Sequence, residues 1–151
     1  MTLGKLLKIA VFVILAIVFV RRHFYYTDKK YDCSIQLLPS LTFEFSGGNA
    51  KRALRLLKYA SLEDYKTICA NVSRINLNVS CGGFGGGCYF DFITKNPESI
   101  DVSTSRSDLA WTAAVIVHET CHLLQYKDGR VFNEDECYKE DHRVIQKITE
   151  I

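Results

Sequence analysis

The sequence predicts an α+β domain behind one apolar N-terminal helix. Three observations carry that expectation. Segments with a two-residue apolar alternation are separated from segments with a helical period. Their order runs strand, helix, helix, strand, strand, strand, helix, helix, which segregates strands and helices as α+β proteins do. Ahead of them, residues 9–20 form an unbroken apolar run.

That run is preceded by Lys5 and Lys8 and followed by Arg21-Arg22. Alone it spans about 18 Å as a helix, against a hydrocarbon core near 30 Å. Counted from Leu3, with both lysines snorkelling to the headgroups, it reaches about 27 Å. It is apolar on every face, unlike a surface helix. A cleaved signal peptide has a similar apolar length, but no small-x-small cleavage site follows Val18-Phe19-Val20. Residues 1–22 are therefore expected to be a transmembrane signal-anchor, and residues 23–151 one domain.

Leu41, Phe43 and Phe45 alternate with polar residues as a half-buried strand, which Ser46-Gly47-Gly48-Asn49 should end. Residues 51–58 read as a basic amphipathic helix whose charged face is solvated or touches anionic lipid. Ser61-Leu62-Glu63-Asp64 has the form of a capping box opening a helix toward Ala70. Ile75, Leu77 and Val79 alternate again. The glycine-rich loop between Cys81 and Cys88 lacks the Gly-Lys-Ser/Thr ending of a phosphate cradle. Aromatic and β-branched residues from Cys88 to Ile93, a turn cluster at 94–98 and Ile100-Asp101-Val102 predict a hairpin. Ser107-Asp108 starts a helix free of Gly and Pro through Tyr126, and Gly129 stops it. Asn133 then caps a last helix toward Ile148, with Glu134 and Asp135 at its positive end.

The first of these two C-terminal helices carries His118-Glu119-Thr120-Cys121-His122. Residues four apart share a helix face, so both imidazoles can reach one Zn²⁺. Glu119 is then placed to take a proton from water held there. With four histidines and eight glutamates in the chain, H-E-x-x-H arises by chance about 0.5% of the time. Its position inside a helix, where the spacing has geometric meaning, weighs against that accident.

The H-E-x-x-H helix, a short connection and Asn133-Glu134 three residues before a small residue, Cys137, together resemble the gluzincin branch of the zincin metallopeptidases. The resemblance covers residues 91–151. It implies a small twisted antiparallel or mixed sheet packed on the active-site helix, with one strand at the rim of a substrate cleft. It also implies a third zinc ligand from the second helix, which by position is Glu134, with Glu136 and Glu140 as alternatives. No third histidine lies at the metzincin spacing. The implied activity is hydrolysis of peptide bonds with one Zn²⁺ per chain, metal ligands His118, His122 and Glu134, and Glu119 as general base. Tyr126, Tyr138 and His142 are candidate oxyanion donors by proximity. The expected partners are a peptide or protein substrate and the membrane. The net charge of +2 makes no case for nucleic acid, and none is expected.

Six cysteines, an even number in a small domain, suit an oxidising compartment. Cys81 and Cys88 bracket the glycine loop, Cys121 and Cys137 face one another across the two helices, and Cys33 with Cys69 would remain, among fifteen possible connectivities. Asn71-Val72-Ser73 and Asn78-Val79-Ser80 have the form of glycosylation sequons. These features favour an extracytoplasmic domain, whereas four basic residues after the apolar run against two before it lean the other way. Two non-catalytic alternatives fit the same residues: a closed structural zinc site that recruits Cys121 or Cys137, or a membrane-anchored interaction module without metal.

Overall fold

The computed structural model describes residues 3–38, 47–77, 87–88, 98–103 and 108–151. The expected strand at 41–45, the sequon at Asn78, the Cys81–Cys88 loop and most of the 88–98 hairpin lie outside them.

Helix α1 (Leu3–Phe24) runs directly into strand β1 (Tyr25–Asp28), and a 3-10 turn at Lys29–Tyr31 leads to β2 (Cys33–Leu38). Helices α2 (Gly47–Ala60) and α3 (Leu62–Asn71) follow, then β3 (Arg74–Leu77), β4 (Gly87–Cys88), β5 (Ser99–Val102), α4 (Leu109–Lys127) and α5 (Glu134–Thr149). The fold is α+β, as expected. The β1–β2 pair was not anticipated, although Cys33, Ile35 and Leu37 alternate with Ser34 and Gln36 and the first three are buried. Gly47, Gly48 and Asn49 form the first turn of α2. Their poor helix propensity is outweighed by the burial of Ala50, Ala53, Leu54 and Leu57 on one face.

The sheet is mixed, in the order β1-β2-β3-β5-β4. Its centre is parallel, with Gln36 opposite Arg74 and Ile75 opposite Ile100, and an antiparallel strand flanks each side. All four residues of β5 are buried, as expected of a strand covered on both faces. Helix α4 packs against β4, β5, α2, α3 and α5, and thirteen of its nineteen residues are buried. It is the core of the molecule rather than an amphipathic surface helix, so whatever polar groups it carries are held rigidly.

Among the described residues two disulfides fasten this frame. Cys33–Cys69 joins β2 to α3 with Cα atoms 4.7 Å apart, and Cys121–Cys137 joins α4 to α5 at 5.5 Å. Closing 36- and 16-residue separations is worth about 4 and about 3 kcal/mol by loop entropy. Ser61 caps α3 without the expected capping box. Its hydroxyl donates to the Asp64 carboxylate and accepts from Lys147 Nζ at 3.0 Å.

A polar cluster joins β1 to α2 and α3. Asp28 accepts from Lys58 Nζ and, at 2.9 Å, from the Tyr65 hydroxyl, which also meets the Tyr26 hydroxyl at 2.9 Å. The Lys58 bond holds the Asp28 carboxyl below its ordinary range, and burial raises the Tyr65 phenol. A depressed carboxylate contributes stability above its unfolded pKa, near 3.9, and loses it as pH falls through the folded value. Asp28→Asn should therefore lower the urea midpoint at neutral pH, and the difference from wild type should shrink toward pH 2. A difference that stays constant with pH would contradict this assignment.

Candidate metal centre

Helix α4 begins at Asp108, whose side chain accepts from the Trp111 amide at 2.9 Å. It ends at Lys127, and Gly129 takes the positive φ of 66° that turns the chain back. Helix α5 begins at Asn133, which caps the Glu136 amide at 3.1 Å. These are the predicted boundaries. The H-E-x-x-H element thus lies in mid-helix, with His118 and His122 one turn apart and both buried.

Their Nε2 atoms are 3.1 Å apart, and Glu134 Oε2 lies 3.2 Å from each. A tetrahedral ion with bonds of 2.0–2.1 Å holds its ligands about 3.3 Å from one another. The three atoms therefore already span one face of such a tetrahedron. Glu134 is 63% exposed at its side chain, so the ligand group is reached from solvent on that side. Of the two alternative ligands, Glu136 is engaged by Gln125 Nε2 and Arg130, and Glu140 by Arg143.

The hydrogen bonds behind the imidazoles fix their tautomers. His118 Nδ1 lies 3.1 Å from Asp141 Oδ2 and can only donate to it. His122 Nδ1 lies 3.1 Å from Gln125 Oε1. The Asn133 amide donates to that same oxygen, while Gln125 Nε2 donates to the Asn133 carbonyl and to Glu136. Gln125 cannot flip without losing these bonds, so His122 Nδ1 carries the proton. Both Nε2 lone pairs are then directed at one another and at a carboxylate oxygen. Three electron-pair donors at this spacing repel unless a positive charge sits among them.

Glu119 adds to the demand. It is buried, and its Oε2 has no hydrogen-bond partner. Burial, and then the charges of Glu134 and Asp101, push its carboxyl well above the usual range. A cation beside it would offset both effects. The residues thus fit a divalent metal, and imidazole with carboxylate suits zinc among several first-row ions.

The remaining candidates separate. The Tyr138 ring packs on His118 with centroids 4.8 Å apart, and Phe132 lies 5.5 Å from His122. Tyr126 lies one turn beyond His122 and is partly exposed. The His142 side chain is 79% exposed, with Nδ1 on the Tyr138 carbonyl and 3.0 Å from Asp141 Oδ1, so it touches only the carboxylate behind His118. It does not reach the His118–His122–Glu134 ligand face. Sequence reasoning missed Asp141 and Gln125 as orienting groups. Both were open to periodicity, since Asp141 stands two turns after Glu134 and Gln125 three residues after His122. Cys121 and Cys137 are joined to each other, with Cys137 Sγ 3.6 Å from His122 Nδ1.

No protein-family model matches the chain, no curated protein matches it, and no solved structure matches it.

Removing a carboxylate that orients a metal-bound imidazole typically weakens metal binding 10- to 100-fold. Asp141→Ala should do so in a zinc-chelator competition titration, with the fold intact by circular dichroism. Unchanged affinity would show that Asp141 does not hold the His118 tautomer.

Proposed function

We propose that the chain is a zinc-dependent peptidase of the zincin type, held at a membrane by α1. The observation that carries this reading is the convergence of His118, His122 and Glu134 beside a buried, unpartnered Glu119. His118, His122 and Glu134 hold the ion, and Asp141 and Gln125 keep the two imidazoles in the donor state. Bound there, zinc supplies Lewis acidity and lowers the pKa of a water toward 7.

Glu119 performs the proton chemistry. Its carboxylate accepts a proton from the attacking water as that oxygen bonds to the peptide carbonyl carbon. When the C–N bond breaks, Glu119 returns the proton to the leaving nitrogen. Its poor solvation makes it a stronger base than a surface glutamate. The fold supports a place for the substrate: β4 is the terminal strand, antiparallel to β5, and it packs on α4. Among the described residues nothing pairs with its outer edge, where an extended peptide can add as a further strand.

The structural-zinc alternative loses its extra ligands, because Cys121 and Cys137 are bonded to one another. The membrane reading rests on the surface of α1. Among the described residues no helix is long and apolar enough to cross a membrane, because Lys5, Lys8, Arg21 and Arg22 confine the uncharged run to 9–20. Yet every residue from 4 to 23 is exposed, Phe12 by 73% and Leu15 by 61%. At about 25 cal/mol per Å² such a surface is costly to leave in water. Lipid covers it if Lys5 and Lys8 snorkel toward the headgroups. Two disulfides accord with an extracytoplasmic domain.

Glu119→Gln should keep its zinc and lose peptide-bond cleavage by about 10²–10⁴-fold, measured on a random-peptide mixture by mass spectrometry. Zinc-loaded wild type that cleaves nothing, or an equally active Glu119→Gln, would overturn the peptidase reading.

A further inference from the structure

The C-terminal end of α1 and one face of α2 meet in a cavity of about 630 Å³ with an unusual charge balance. Arg21, Arg22, Lys51, Arg55 and Lys58 line it, against Asp28 as its only carboxylate. Asp28 is already taken by Lys58 and Tyr65. Among the described residues Arg21, Arg22 and Arg55 have no carboxylate partner. Lys51 Nζ donates to the Arg22 carbonyl, which ties α2 to the end of α1. Burial lowers the Lys51 ammonium, and the neighbouring Arg55 and Arg22 charges add to that.

A groove of about 800 Å³ adjoins this cavity. Phe12, Val13, Ala16, Ile17 and Val20 of α1 form its apolar wall, and the facing wall, from β1 through the 3-10 turn to β2, is more polar, with Thr27, Asp28, Lys29, Asp32 and Ser34. The two share Arg21, Tyr25, Thr27 and Asp28. A solvated basic face, the bland expectation for α2, has no reason to be shared with the base of an apolar helix. A free phosphate ion would use the cavity but not the groove. A molecule with an anionic head and an acyl tail uses both.

We propose that this composite site binds one anionic phospholipid, its phosphate among Arg21, Arg22, Lys51 and Arg55 and an acyl chain along α1. Planar guanidinium groups suit phosphate oxygens bidentately. The site rests on the reading of α1 as membrane-embedded. It adds a chemical preference that a plain anchor lacks, and it sets the height of the domain on the lipid surface.

The test uses the full chain reconstituted in phosphatidylcholine with a minor fraction of phosphatidylglycerol. It is then extracted in neutral detergent, and the lipid that co-purifies is counted by mass spectrometry. Wild type should retain phosphatidylglycerol enriched over the bulk lipid. Arg22→Gln/Arg55→Gln should retain roughly tenfold less or lower, while exposed Lys66→Gln matches wild type and all three keep the same circular dichroism. Excess inorganic phosphate should leave the lipid in place. Equal retention in the double variant, or no enrichment, would overturn the site. So would displacement by inorganic phosphate, which would mark a free-anion site. Flotation with neutral vesicles separates the two readings: a chain that floats without enrichment loses only the lipid site, and one that floats with no vesicle loses the anchor as well.

Discussion

The structure turns on the contact between α4 and α5. Helix α4 is buried nearly all round, so its two imidazoles and one carboxylate sit where water cannot solvate them. Helix α5 answers from its first three turns. Glu134 closes the ligand face, Asp141 holds His118, and the Gln125–Asn133–Glu136 bonds lock His122 through the connection between the helices. The Cys121–Cys137 disulfide fixes the same pair covalently. Burying unpaired polar atoms costs about 1–3 kcal/mol each, a cost that a cation bound among these groups would offset. The demand for a cation and the geometry to hold one come from the same contact.

Much of this was legible in the sequence. Asp108, the absence of Gly and Pro and the stop at Gly129 define α4. Asn133 defines α5, and the gluzincin resemblance pointed to Glu134 as a third ligand, with Glu136 and Glu140 left as alternatives. The cysteine pairs 33–69 and 121–137 were among the connectivities the sequence allowed. What was not legible is non-local. Strand β1 is four residues long and leaves α1 without a Gly or Pro between them, so no local signal divides the two. The place of β5 between β3 and β4 depends on long-range pairing, which the alternation of a single strand does not encode. The parallel centre of the sheet follows from the same crossover through α2 and α3. Side-chain partners such as Asp141 required knowing that α5 returns along α4.

The two ends of the molecule have different electrostatics. Around the α4–α5 contact, acidic and imidazole groups converge on a point. At the base of α1, cations converge with one carboxylate among them. Each cluster sits where two helices or a helix and a strand are held together, so neither can relax by moving apart. In this account a divalent metal satisfies the first and a lipid phosphate the second, on a frame joined by the sheet and two disulfides.

The most direct test is the metal content of the purified full chain beside His122→Ala. Wild type should carry near one zinc per chain, withstanding gel filtration, and His122→Ala of unchanged fold essentially none. Folded wild-type protein that takes up no zinc, or His122→Ala that binds it equally, would contradict the central claim.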